Sequence, residues 1–140
     1  MARDYRPNAR ESAVISKLDH KKEAQRNRML SELRDHHETL SDFIAIKLIE
    51  DNLVETTNKE ELENQIYLCL ENLLSAEEFE INLQTANIRT LVPRPHFASL
   101  YLTAFIIEKL IDHECIVDIY GTDLEIYSCV NKQVLRYVPL

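Results

Sequence analysis

At 140 residues, with 45% hydrophobic and 29% charged side chains, the chain has the size and composition of one globular domain with a core rather than of a disordered polymer. Its single glycine, Gly121, excludes glycine-cradled phosphate loops, because neither a G-x-G-x-x-G fingerprint nor a P-loop can be written. The net charge of −8 is uneven: residues 1–35 hold nine Lys/Arg against six Asp/Glu, a net of +3, and residues 36–140 hold seven against eighteen, a net of −11.

Met1 to Asn8 reads as a tail, and helix-favouring residues begin at Ala9. Val14, Ile15 and Leu18, with Ala13, form a small apolar patch, after which DHKKEAQRNR offers only Ala24 and cannot bury a helical face. Met29, Leu33, His36, Leu40 and Phe43 then resume a four-three spacing, the seam of a helix joining a partner or the core. The division expected is a basic tail and helical arm over 1–38 and a single globular domain over 39–140.

Thr39 and Asp42 fit an N-cap with an acid three residues on, opening a buried helix to about Asp51, and Asn52 suits a left-handed stop. Leu53 to Glu55 is a brief extended piece. Thr57-x-x-Glu60 has the form of a capping box, leading a helix with Leu62, Ile66, Cys69, Leu70 and Leu73 on one side. Ser75-x-x-Glu78 predicts the next helix, with Phe79, Leu83 and Ala86 inward and an end near Thr90.

The stretch Phe97 to Ile111 is apolar in almost every direction around a helix, so it predicts the helix on which the rest packs, started at Pro95. It is too short for a membrane span and carries Ser99, Thr103, Glu108 and Lys109. Cys115 to Tyr120 is rich in β-branched residues and predicts a strand, Gly121 turns the chain, and Thr122-x-x-Glu125 caps a last helix with Leu124, Tyr127, Val130, Val134 and Val138 on its stripe. The fold class predicted is mostly α: five to six helices with a minor two-stranded β element, plus the basic arm.

An ungapped offset of 62 residues aligns Phe43-Ile44 with Phe105-Ile106, Lys47-Leu48-Ile49 with Lys109-Leu110-Ile111, and Leu62-Glu63 with Leu124-Glu125. It reads as two helix-strand-helix repeats, whose strands at Leu53 to Glu55 and Cys115 to Tyr120 would pair.

Three cysteines in apolar surroundings without Cys-x-x-Cys spacing read as buried small hydrophobes, and no apolar segment within Met1 to Arg10 suggests a secretory signal. The expectation is an intracellular, cytoplasmic, reducing environment, with no cofactor and no metal. His-Glu-x-x-His, EF-hand and Gly-x-Ser-x-Gly patterns are absent. Asp35-His36-His37-Glu38 is ligand-rich, yet adjacent helical side chains point about 100° apart. His113-Glu114-Cys115 reads as a cap beside a core residue.

Three functions fit what remains. The one expected is a non-enzymatic interaction or assembly module, with Val14, Ile15 and Leu18 as apolar anchor and Lys21, Lys22, Arg26 and Arg28 as charged flank, docking on another protein or on a second copy as a homodimer. The alternative is nucleic-acid binding through the same basic helix, although no aromatic residue lies between Arg6 and Asp42 to stack on bases. The third is a small enzyme or metal-binding protein with a concave site near His96, His113 and Glu114.

Overall fold

The computed structural model describes the backbone of residues 9–138, with side chains described at residue 21 and residues 23–138. The chain divides into two compact units, Met1–Ser31 and Glu32–Leu140. Helix α1 runs from Ala9 to Asp35, and Lys21, Glu23, Ala24, Gln25, Asn27 and Arg28 on it are exposed, as a segment without an apolar face must be.

Within the second unit the apolar seam takes hold. Leu33 and Leu40 are buried, and α2 follows over His37–Glu50. The N-cap expected at Thr39 is not there: Thr39 lies inside α2 and is exposed. His36 N–H still donates to Glu32 C=O, and His36 C=O already accepts from Leu40 N–H at 2.8 Å, so the helical ladder scarcely lapses and needs no side-chain cap. Asn52 stops the chain as expected, with a φ of 58°.

Strand β1 (Val54–Thr56) pairs antiparallel with β2 (Ile116–Ile119), placing Val54 opposite Ile119 and Glu55 opposite Asp118. The register slips between Glu55 and Thr56, which sets Thr56 opposite Ile116. This two-stranded sheet is the pairing the sequence suggested. It also moves a cap. Thr57 N–H extends the ladder to Cys115 C=O at 2.9 Å, so the capping box expected at Thr57 does not form. Asn58 caps α3 (Lys59–Ser75) instead, its side chain accepting from Glu61 N–H.

The predicted stripe of α3 is buried throughout: Leu62, Ile66, Cys69, Leu70 and Leu73. Ser75 ends α3 and turns its hydroxyl back to the Glu71 and Asn72 carbonyls, so it opens nothing. Helix α4 is short, Glu78–Gln84, and a 3-10 turn over Ala86–Ile88 follows.

Helix α5 (Phe97–Glu108) is the centre. Ala98, Ser99, Leu100, Tyr101, Leu102, Thr103, Ala104 and Ile106 are all buried, as an all-round apolar helix requires. Its cap is His96, whose Nδ1 accepts from Ala98 N–H, with Pro95 just before. Helix α6 (Asp123–Tyr137) starts with the capping box predicted at Thr122 and Glu125. Its buried face is Ile126, Tyr127, Cys129, Val130, Gln133 and Val134, whereas Leu124 is exposed. Across the core α2 packs on α3 and α6, and α5 packs on α6 and α3. All three cysteines are free and buried.

Candidate interaction surface

The residues proposed from sequence as a docking arm lie on α1. Lys21 and Arg28 are exposed and Arg26 is half-buried, while the side chains of Val14, Ile15, Leu18 and Lys22 lie outside the described residues.

A second apolar surface comes from α4, and it reverses the expected inward stripe. Phe79, Leu83 and Ala86 share the spacing i, i+4, i+7 with Ile81, Thr85 and Ile88, two residues further on and so about 200° around the helix. The second set turns inward. Ile81, Thr85 and Ile88 are buried, and the Thr85 hydroxyl donates to Ile81 C=O at 2.7 Å. Lys109 Nζ donates to Gln84 and Asn87 Nδ2 to Glu108, fastening this face to the end of α5. Phe79 is left 73% exposed and Leu83 66% exposed, one turn apart, on a helix whose charged residues Glu78 and Glu80 are all acidic. Each side chain thereby forgoes part of the roughly 1.5–3 kcal/mol that full burial would give.

Negative charge also gathers between α2 and α3, where Glu38, Asp42, Glu60 and Glu63 line a shallow cavity of about 340 Å³ with Asn64 and Tyr67. At its edge the His37 ring stacks on Tyr67 at 3.8 Å, and His37 Nε2 bonds Tyr67 C=O at 2.7 Å. The neighbouring His36 ring lies 4.5 Å from Tyr137 instead. The two adjacent imidazoles thus diverge, one tying α2 to α3 and the other to α6. Among the described residues no three His, Cys, Asp or Glu side chains form a metal-ligand group.

His96 and His113 do not share a site. One caps the start of α5, and the other follows the 3-10 turn Leu110–Asp112 beyond its end. His96 is 1% exposed and fully engaged, with Nε2 on Val138 C=O at 3.1 Å and its backbone N–H donating to the Tyr127 hydroxyl at 2.9 Å. Burial holds its pKa below the ordinary histidine value, the bond to Val138 opposing. His113 Nδ1 accepts from Cys115 N–H at 3.2 Å and lies 3.0 Å from Cys115 Sγ, while its Nε2 stands 3.6 Å from Glu61. Glu114, between them in sequence, is exposed. This is a turn cap packed against a buried thiol, in line with the structural reading of the motif.

No family model, curated protein or solved structure matches the chain. The surface is therefore read from its own geometry. Among the described residues no helix is long and apolar enough to cross a membrane. The α4 pair was open to sequence reasoning in one respect only: two apolar stripes at equal spacing cannot both face the core of a short helix. The orientation found is accompanied by hydrogen bonds of Gln84 and Asn87 to α5, between residues more than twenty positions apart, which no local pattern shows.

Proposed function

We propose that this protein is a non-enzymatic assembly module that associates with a second copy of itself, the basic α1 segment of one chain meeting the acidic, apolar α4 face of the other. The observation that carries the reading is the exposed pair Phe79 and Leu83 on α4. Charge complementarity supports it: residues 1–35 carry a net of +3 and residues 36–140 a net of −11. The apolar anchor on the basic side is Val14, Ile15 and Leu18, and its charged flank is Lys21, Lys22, Arg26 and Arg28. A reciprocal exchange of this kind closes as a twofold dimer, each interface used twice.

The test is the solution mass of the full chain by light scattering over a concentration series. A dimer is expected, converted to monomer both by Phe79→Glu with Leu83→Glu and by Val14→Glu with Leu18→Glu, with thermal unfolding little changed. A monomer at every concentration, or a dimer that survives both double changes, refutes the proposal. Nucleic-acid binding through α1 remains the second reading, supported by the exposure of Lys21 and Arg28. It predicts retention on an immobilised polyanion that falls steeply with salt and is lost when Lys21, Lys22, Arg26 and Arg28 become Glu.

We also propose that the domain arose by duplication of a helix-strand-helix unit. Burial supports this in two registers: Leu40, Ser41, Ile44 and Leu48 match Leu102, Thr103, Ile106 and Leu110 at an offset of 62, and Leu62, Ile66, Cys69 and Leu70 match Ile126, Val130, Gln133 and Val134 at 64. The N-caps Asn58 and Thr122 also stand 64 apart. A shift of two residues between strand and second helix therefore belongs to the comparison, and the ungapped alignment of Leu62 with Leu124 pairs a buried residue with an exposed one.

A further inference from the structure

Cations are scarce in residues 36–140, seven against eighteen carboxylates, so most should have a partner. Lys47 pairs with Glu50 at 3.0 Å, Arg89 bonds Asn82, Lys109 bonds Gln84, and Arg136 lies over the Phe43 ring. Lys59, Arg94 and Lys132 make no ion pair with the described residues. Two of these three line the same cavity. It is shallow and open to solvent, with a volume of about 530 Å³, and lies between the segment Val92-Pro93-Arg94 and the α6 residues Tyr127, Ser128, Asn131 and Lys132.

The walls suit one class of ligand. Val92, Pro93 and the Tyr127 ring are apolar, and Pro93 and Pro95 fix the backbone on either side of Arg94. Asn131 Oδ1 accepts from the buried Ser99 hydroxyl at 2.7 Å, which fixes the amide and leaves its NH₂ to donate elsewhere. On α6, Ser128, Asn131 and Lys132 follow at i, i+3 and i+4 and so share one face. The Tyr127 hydroxyl already accepts from His96 N–H, which anchors the ring that forms the floor. A shallow depression with two cations that make no ion pair with the described residues, neutral donors and an apolar side matches an anion carried on an apolar body.

We infer that this cavity binds a small organic anion, a carboxylate or phosphate monoester on an apolar ring-sized body, with Arg94 and Lys132 meeting the charge and Val92, Pro93 and Tyr127 the body.

Phenyl phosphate is the probe, titrated into the full chain and followed by amide chemical shifts, with inorganic phosphate and benzyl alcohol in parallel. Saturable shifts centred on Arg94, Ser128 and Lys132 are expected for phenyl phosphate, weaker ones for inorganic phosphate, and none that saturate for benzyl alcohol. Arg94→Gln with Lys132→Gln should weaken phenyl phosphate by at least about tenfold. Both residues are exposed, so the double variant should keep its thermal midpoint; Ser128→Ala, with its charges intact, gives a second and smaller loss. No saturable shift at these residues, an unchanged affinity in the double variant, or inorganic phosphate binding as tightly as phenyl phosphate would each overturn the inference.

Discussion

Acidification should loosen the start of the central helix through His96. Nδ1 accepts from Ala98 N–H, so the neutral ring carries its proton on Nε2 and donates it to Val138 C=O. A second proton would sit on Nδ1, facing an N–H, and the cap would be lost. Burial also holds the folded-state pKa below the ordinary value. The unfolded chain therefore takes up the proton first, and the stabilisation is full above about pH 6.5 and declines as pH falls towards the folded-state pKa, by at most about 1.4 kcal/mol per pH unit. His96→Asn separates the roles. Asn is a good N-cap that does not titrate, but it cannot reach Val138, whose buried carbonyl loses a donor at a cost of about 1–3 kcal/mol. Urea unfolding at about pH 7.5, 6.5 and 5.5 should find the variant less stable at the highest pH and the gap narrower at the lowest. If the two curves fall in parallel with pH, His96 is not the group responsible and its assigned tautomer is wrong.

Gly121 does not have a positive φ, yet an added Cβ would meet Leu53 Cδ2 at 2.8 Å and Ile126 Cγ1 at 3.0 Å. Gly121→Ala is therefore expected to destabilise by about 1–3 kcal/mol through overpacking, and a melting point equal to wild type would refute that. Gln133 Oε1 is buried without a hydrogen-bond partner among the described residues, so Gln133→Leu should raise stability, by about 1–2 kcal/mol, in chemical unfolding. The thiols should be inert in the folded state. Cys129 is pushed up to about 12 by burial and then by the neighbouring Asp51 carboxylate, and burial raises Cys69 further. A thiol reagent at about pH 8 should label none of the three cysteines until denaturant is added, and one fast-reacting thiol would contradict their burial.

Much of this fold was legible because its decisive signals are local. The all-round apolar run of α5, the stripe of α3, the Asn52 stop and the Thr122 box each depend on residues within one or two turns. Each departure came from a competing partner that the motif itself does not show. The Thr57 cap failed because its N–H was taken by Cys115, fifty-eight residues away, and the Ser75 box failed because the hydroxyl turned back on its own helix. His96 was treated as a candidate for chemistry when it is a cap, since the Val138 carbonyl that satisfies its other nitrogen is forty-two residues off.

The α4 error is the one with functional content. A sequence rule that sends apolar residues inward assumes a core on one side of the helix and water on the other. Helix α4 has only seven residues, and the stripe that turns inward is mixed, with Thr85 between Ile81 and Ile88. With Ile81, Thr85 and Ile88 turned inward, Gln84 and Asn87 also reach Lys109 and Glu108 at the end of α5. The buried set, Ile81, Thr85 and Ile88, carries apolar area comparable with that of Phe79 and Leu83. Leaving Phe79 and Leu83 in water is a departure from the rule that large apolar side chains turn inward. Such departures are expected where a surface is kept for a partner, and on that ground α4 takes precedence over the basic arm as the place to mutate first.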